Sequence, residues 1–134
     1  MNNSKGVVFL AATNKLEDLD TALIRPGRID LLLKVGLPDE KGRLDILERQ
    51  SKNMNLKDRS DLQLIARETD QFSGADLNAI LREAALISLE VNNMKTTSIT
   101  IQDLQKAQAK LNESKKNLRE QEEKKKERDT NYIR

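Results

Sequence analysis

Residues 72–87 read Phe72-Ser73-Gly74-Ala75-Asp76-Leu77-Asn78-Ala79-Ile80-Leu81-Arg82-Glu83-Ala84-Ala85-Leu86-Ile87. Ser73 and Asp76 stand at N-cap and N3 spacing, where each can satisfy the other's free backbone amide in a capping box. Behind them Leu77, Ile80, Leu81, Ala84 and Ile87 recur at helical spacing and mark one apolar face. The stretch therefore predicts a long amphipathic helix. The same logic extends in both directions. Asp39 can cap a helix in which Leu44 and Leu47 share a face, and Asp61 can cap another carrying Leu62, Ile65 and Ala66. Thr100 and Asp103 repeat the capping box ahead of Leu104, Ala107 and Leu111, with residues 97–101 able to run extended first. Residues 39–112 are expected to form an all-α four-helix subdomain.

Before Pro38 the rhythm differs. Val7-Val8-Phe9-Leu10-Ala11-Ala12 is a continuous apolar run, too short for a helix and suited to a strand buried on both faces. Leu31-Leu32-Leu33-Lys34-Val35-Gly36-Leu37 is a second strand candidate, stopped by Gly36 and Pro38. Two buried strands need helices to cover them. Residues 1–38 are therefore expected to be an α/β remnant, the end of a parallel sheet from a larger domain. The chain as a whole is expected to be mainly helical. From about Glu113 it turns charged and polar, with Lys124-Lys125-Lys126 at the centre. Residues 113–134 read as a charged tail, either a solvated helical extension or disordered. Leu104, Leu111 and Leu118 are spaced by seven, fewer heptads than a coiled coil needs.

Composition removes whole classes of function. The 134 residues include no Cys and no His, which excludes disulfides, thiolate and imidazole metal sites, and triads built on His. Aromatic residues are 2% of the chain, too few for a stacking platform that binds nucleic acid or sugar. A net charge of +2 is no electrostatic footprint for DNA or an anionic membrane. The apolar run at residues 7–12 is far short of the roughly 20 residues that span a bilayer.

Three places can carry chemistry. Arg25-Pro26-Gly27-Arg28 presents two guanidiniums on a Pro-Gly turn, which suits a polyanion such as phosphate. A plain turn whose arginines pair with Asp20 or Asp30 explains the same residues. Asn14 follows the apolar run, where ligands bind beyond the C-terminal ends of strands in open α/β sheets; a turn or capping Asn is the alternative. Gly74 and Ala75 open the strongest helix, and two small residues there allow close approach to the backbone. A good capping box and nothing more would also use them.

The order of these pieces is more specific than any one of them. The apolar run ending in Thr13-Asn14 comes first, then residues 19–30 around Arg25-Pro26-Gly27-Arg28, then Leu37-Pro38-Asp39 with Arg43 and Ile46-Leu47. Phe72-Ser73-Gly74-Ala75-Asp76-Leu77 and Arg82-Glu83-Ala84-Ala85 complete the series. Over about residues 7–110 it resembles the C-terminal half of an AAA-family ATPase module. The nearest types are the tandem-ring unfoldases related to valosin-containing protein, then the proteasome base ATPases and FtsH.

The resemblance implies roles for individual positions. Asn14 matches the sensor that helps hold the attacking water. Arg25 and Arg28 match two arginine fingers that reach a neighbouring subunit's ATP. Gly74 and Ala75 match the lid backbone that lies against adenine and ribose, and Ile46 and Gln50 fall where lid side chains line the base pocket. Two positions depart from the family pattern: Leu31 stands where a basic residue is usual, and Gln50 where relatives often carry His. The resemblance further implies ATP and Mg²⁺ as cofactors, a hexameric ring and protein substrates with their adaptors. The small net charge and the short apolar run argue for no nucleic acid partner and no membrane segment in this chain, and a cytoplasmic or nuclear location is expected. No G-x-x-x-x-G-K-[ST] loop and no apolar strand ending in an Asp-Glu pair occur in the sequence. The Mg²⁺ ligands are thus expected outside it.

The expected function is therefore part of an ATP hydrolase that unfolds or remodels proteins. A stand-alone helical interaction module is the alternative, and a nucleic-acid motor fits less well, because such relatives carry an arginine near the start of the lid helix. This chain alone is expected not to turn over ATP and to bind it weakly at best, since base contacts offer little without phosphate anchoring. Calorimetry and a phosphate-release assay check this; micromolar ATP affinity with turnover would contradict it.

Overall fold

The computed structural model describes residues 6–13 and 19–132. The chain divides into two units, Met1–Val35 and Gly36–Arg134. Four α-helices lie in the second: α1 (Glu40–Gln50), α2 (Asp61–Glu68), α3 (Gly74–Val91) and α4 (Ile101–Asn131). The mainly helical character expected from the sequence is the observed one.

Local chemistry sets the helix starts. Asp39 accepts the Gly42 amide at 2.7 Å and caps α1. A Cβ at Gly42 would come within 3.1 Å of both the Asp39 carboxylate and the Pro38 ring, so the tight cap calls for glycine there. Ser73 and Thr100 each form a complete capping box, with Asp76 and Asp103, at the starts of α3 and α4. The start of α2 departs from expectation. Asp61 is the first residue of the helix and not its cap, and the N-cap Ser60 makes no side-chain capping bond. Asp58 instead accepts both the Ser60 amide, at 2.8 Å, and the Ser60 hydroxyl, at 2.7 Å. This local Asx turn brings the chain into α2 without needing the Asp61 side chain.

The core is aliphatic. Leu47 of α1, Leu62 and Ile65 of α2, Leu77, Ile80 and Leu81 of α3 and Leu104 of α4 are almost wholly buried together. α3 packs on both α1 and α4, and α2 packs on α1 and α4. Two loops are stitched by a single parallel bridge between Leu56 and Ile99. There the Ile99 amide donates to the Asn55 carbonyl at 2.8 Å, and the Lys57 amide donates to the Ile99 carbonyl at 2.9 Å. Arginines close the helix ends. Arg43, 4% exposed, sends Nε to the Ala66 carbonyl at 2.8 Å and a terminal nitrogen to the Pro38 carbonyl at 3.0 Å. Arg59 reaches the Ser51 and Glu48 carbonyls at the end of α1. The bonds to Ala66, Glu48 and Ser51 serve carbonyls at the ends of α2 and α1, where a helix terminus leaves them without intrahelical partners.

The first unit holds a short 3₁₀ turn at Thr21–Leu23, capped by the Asp20 side chain, and no strand among the described residues. The two segments expected as strands, residues 7–12 and 31–37, carry no ladder hydrogen bonds. Strand propensity reflects the fit of side chains to a paired, half-buried surface, and an unpaired segment lacks that surface. Val8 and Leu10 are accordingly about 90% exposed. The charged tail, by contrast, continues α4 as helix through Asn131.

Leu81→Ala is expected to destabilise the helical unit by about 2–5 kcal/mol, the range for a buried Leu truncated to Ala. Urea unfolding followed by circular dichroism reads this directly. Hydrogen exchange on the same samples is expected to show residues 77–87 far better protected than residues 7–12, because only the former combine helical hydrogen bonds with burial.

Candidate functional site

In the first unit, Arg25 and Arg28 occupy the ends of one turn. The Arg28 amide donates to the Arg25 carbonyl at 3.2 Å. Gly27 sits at φ 89°, a left-handed conformation that favours glycine. Pro26 followed by a left-handed Gly27 is the type II turn pattern. The turn thus sets two exposed arginines at its first and last positions. Arg28 also donates to the Ala22 carbonyl at 3.3 Å, which ties it back to the 3₁₀ turn. Among the described residues neither arginine forms an ion pair with Asp20 or Asp30; the Asp20 carboxylate is taken by the Ala22 amide. Asn14 lies outside the described residues.

In the second unit, the structure brings Ile46 and Gly74 together. A Cβ built on Gly74 would lie 3.8 Å from Cδ1 of Ile46. Gln50 is four residues beyond Ile46 on α1, one helical turn along the same face, and is exposed. Ala75 is exposed beside Gly74 in the first turn of α3. The result is an edge with a half-buried aliphatic side chain, two small residues and an amide. The first amides of a helix have no intrahelical acceptor. Ser73 Oγ takes that of Asp76, so those of Gly74 and Ala75 remain available. Such an edge can hold a flat base by apolar contact and offer backbone donors to its polar rim. Two hollows in this unit, of about 180 and 260 Å³, are lined by other residues.

The electrostatics of this edge centre on Asp76. Its Oδ2 accepts the Ser73 amide at 2.8 Å, the Ser73 hydroxyl at 2.9 Å and the Lys115 ammonium at 2.7 Å. Burial opposes ionisation of the carboxyl, but the bonds from Lys115 and Ser73 outweigh it and hold Asp76 below the ordinary carboxylate range. In the sequence Lys115 falls in the charged tail, residues 113–134, where solvation is the expected role. Its register carried a signal all the same: Leu104, Gln108, Leu111 and Lys115 are spaced four, three and four, one continuous face of α4. Leu104 and Gln108 are buried, and Leu111 and Lys115 are half-buried.

Residues 59–106 match the model of the AAA+ lid domain. The chain is 42% identical over 111 residues to cell division control protein 48 homolog B of Arabidopsis thaliana, covering 83% of this chain and 18% of that protein. It is 48% identical over 91 residues to the ATP-dependent zinc metalloprotease FtsH of Malacoplasma penetrans, covering 68% of this chain and 11% of that protein. To the ATPase family gene 2 protein homolog B of Bos taurus it is 44% identical over 96 residues, 72% of this chain and 12% of that protein. The chain thus spans less than a fifth of the length of these curated relatives.

Asp76 links the edge to pH. A carboxyl held below its unfolded value adds stability that is complete above about pH 4 and drains away as pH falls through the lower folded value. Asp76→Asn is expected to lower the melting temperature at neutral pH. It is also expected to flatten, though not abolish, the acid limb below about pH 4, because Asp58 is held down as well by its bonds to Ser60. Thermal melts of both proteins across that range test it; parallel limbs would contradict the assignment.

Proposed function

The chain carries an AAA+ lid domain, shared with cell division control protein 48 homologues and FtsH, and from that premise we propose that it supplies the lid and finger elements of an AAA-type ATP hydrolase. The observation that carries the reading is the edge where Ile46 Cδ1 lies 3.8 Å from the position a Cβ would take on Gly74, at the head of a helix that lies within the matched lid. The aliphatic side chain of Ile46 packs on one face of adenine. Gly74 and Ala75, lacking bulk, let base and ribose approach the α3 backbone, and Gln50 supplies an amide to the edge of the base. ATP, with its Mg²⁺, supplies the phosphoryl group transferred to water. The apolar edge with free backbone donors fits the base and ribose; groups for the metal lie elsewhere in the hydrolase.

Arg25 and Arg28 act on a different nucleotide, the one held by the adjoining subunit of a hexameric ring. An exposed type II turn suits that task, because its guanidiniums are presented outward from a fixed backbone. They counter the charge that develops on the transferring phosphoryl group. Asn14 orients the attacking water. Turnover at these interfaces drives the unfolding or remodelling of protein substrates, brought by adaptors, in the cytoplasm or nucleus. No helix among the described residues is long and apolar enough to cross a membrane.

The test uses the complete hydrolase that contains this chain. Arg25→Ala and Arg28→Ala are each expected to lower kcat by about 10³-fold or more with little change in nucleotide affinity, since a finger acts on the transition state. Mixing finger-deficient subunits with subunits that have intact fingers but a disabled catalytic centre is expected to restore turnover. Absence of rescue in rings proven to be mixed would contradict action across the interface.

A further inference from the structure

Lys115 stands in a stretch whose composition suggests nothing but solvation, yet its side chain is 27% exposed, as is that of its partner Asp76. Its ammonium meets three groups at once. Asp76 Oδ2 lies at 2.7 Å, the Gln71 carbonyl at 3.5 Å and the centroid of the Phe72 ring at 4.4 Å. Gln71 and Phe72 belong to the turn that delivers the chain into α3, and Asp76 to the first turn of that helix. Gln71 holds φ 63°, a left-handed conformation that residues other than glycine adopt at a cost. Phe72 is buried, and a cation over its face is attracted to the ring quadrupole. Asp76 is the N3 residue of the capping box that starts α3. An isolated surface ion pair would contribute little. This cation instead joins a strained turn, a buried ring and a helix cap from a residue 39 positions downstream of Asp76.

We propose that Lys115 is a positioning residue for the nucleotide seat: from α4 it fixes the turn at Gln71–Ser73 and the capping carboxylate, so that Gly74 and Ala75 meet the base and ribose in a single backbone geometry. The proposal rests on the reading of that seat given above. It gives α4 beyond the core a role in nucleotide binding, exerted through the α3 cap and without contact to the ligand. Lys116, the exposed neighbour on the same helix, makes none of these contacts and has no such role.

The test uses the intact chain as wild type, Lys115→Met, Lys115→Arg and Lys116→Met, with ADP as the probe. Methionine keeps an unbranched stem over Phe72 and removes the charge; arginine keeps the charge. Amide exchange at Asp76 and Leu77 is expected to quicken about tenfold in Lys115→Met, the scale of one lost charge-assisted hydrogen bond. It is expected to stay at the wild-type rate in Lys116→Met and to recover in Lys115→Arg. ADP, titrated into the millimolar range, is expected to move the Gly74 and Ala75 amide resonances and the Ile46 methyls of the wild type. Lys115→Met should need several times more ADP for the same displacement, and Lys115→Arg should not. An ADP response in Lys115→Met equal to that of the wild type overturns the positioning role and leaves the seat standing. No response at these resonances in the wild type overturns the seat and the proposal with it. If Lys115→Met loses its helical circular dichroism, Asp76→Asn, which retains a capping acceptor, takes its place with the same expected losses.

Discussion

One carboxylate oxygen, Oδ2 of Asp76, accepts a backbone amide, a hydroxyl and an ammonium, and so ties the start of α3 to α4. α3 contributes Leu77, Ile80, Leu81 and Ala84 to the core and packs against both α1 and α4. Where α3 begins therefore decides how the other helices meet it. A capping box alone fixes that point only from within the local sequence. The ammonium of Lys115 fixes it from another helix, so the start of α3 is held by local and long-range contacts together.

The unit has few aromatic residues and builds its core from Leu, Ile and Ala. Such a core is non-directional and does not by itself dictate how helix ends are closed. Long cationic side chains do that instead. The buried guanidinium of Arg43 joins the entry to α1 with the last turn of α2, and Arg59 covers the end of α1. Gln108 of α4 adds a bond from its Nε2 to the Glu68 carbonyl at the end of α2. A guanidinium suits this work because its several donors are fixed in one plane and it stays charged. The polar contacts thus give the aliphatic core its register.

The two units divide the chemistry we assign to the chain. In the proposed function a turn with outward arginines serves charge that develops on phosphate, and a helix edge with small residues serves a base. Each needs a different local backbone, one left-handed at Gly27 and the other a freshly capped helix. Neither backbone could be exchanged for the other without losing its chemistry, since a glycine turn has no row of free amides and a helix cap presents no forked pair of side chains.

Much of this was legible in the sequence because it is local. Capping boxes at Ser73 and Thr100, the cap at Asp39, the apolar faces of four helices and the Pro-Gly turn all depend on residues within four positions of one another. The residues proposed for the seat, Ile46, Gln50, Gly74 and Ala75, are read from their order along the chain, which resembles the pattern of the AAA family. Asp61 has the chemistry of a cap but stands one position inside α2, because the turn before it is closed by Asp58 on the Ser60 amide and hydroxyl. Residues 7–12 and 31–37 have the composition of strands, but a strand exists only where a second backbone supplies its hydrogen bonds. What tertiary structure alone decided is the approach of Ile46 to Gly74, the burial of Arg43 against Ala66 and the grip of Lys115 on Asp76. Those pairs lie more than twenty residues apart, so no local pattern records them. A charged residue in a charged stretch reads as solvated until the fold shows which face of its helix lies against another.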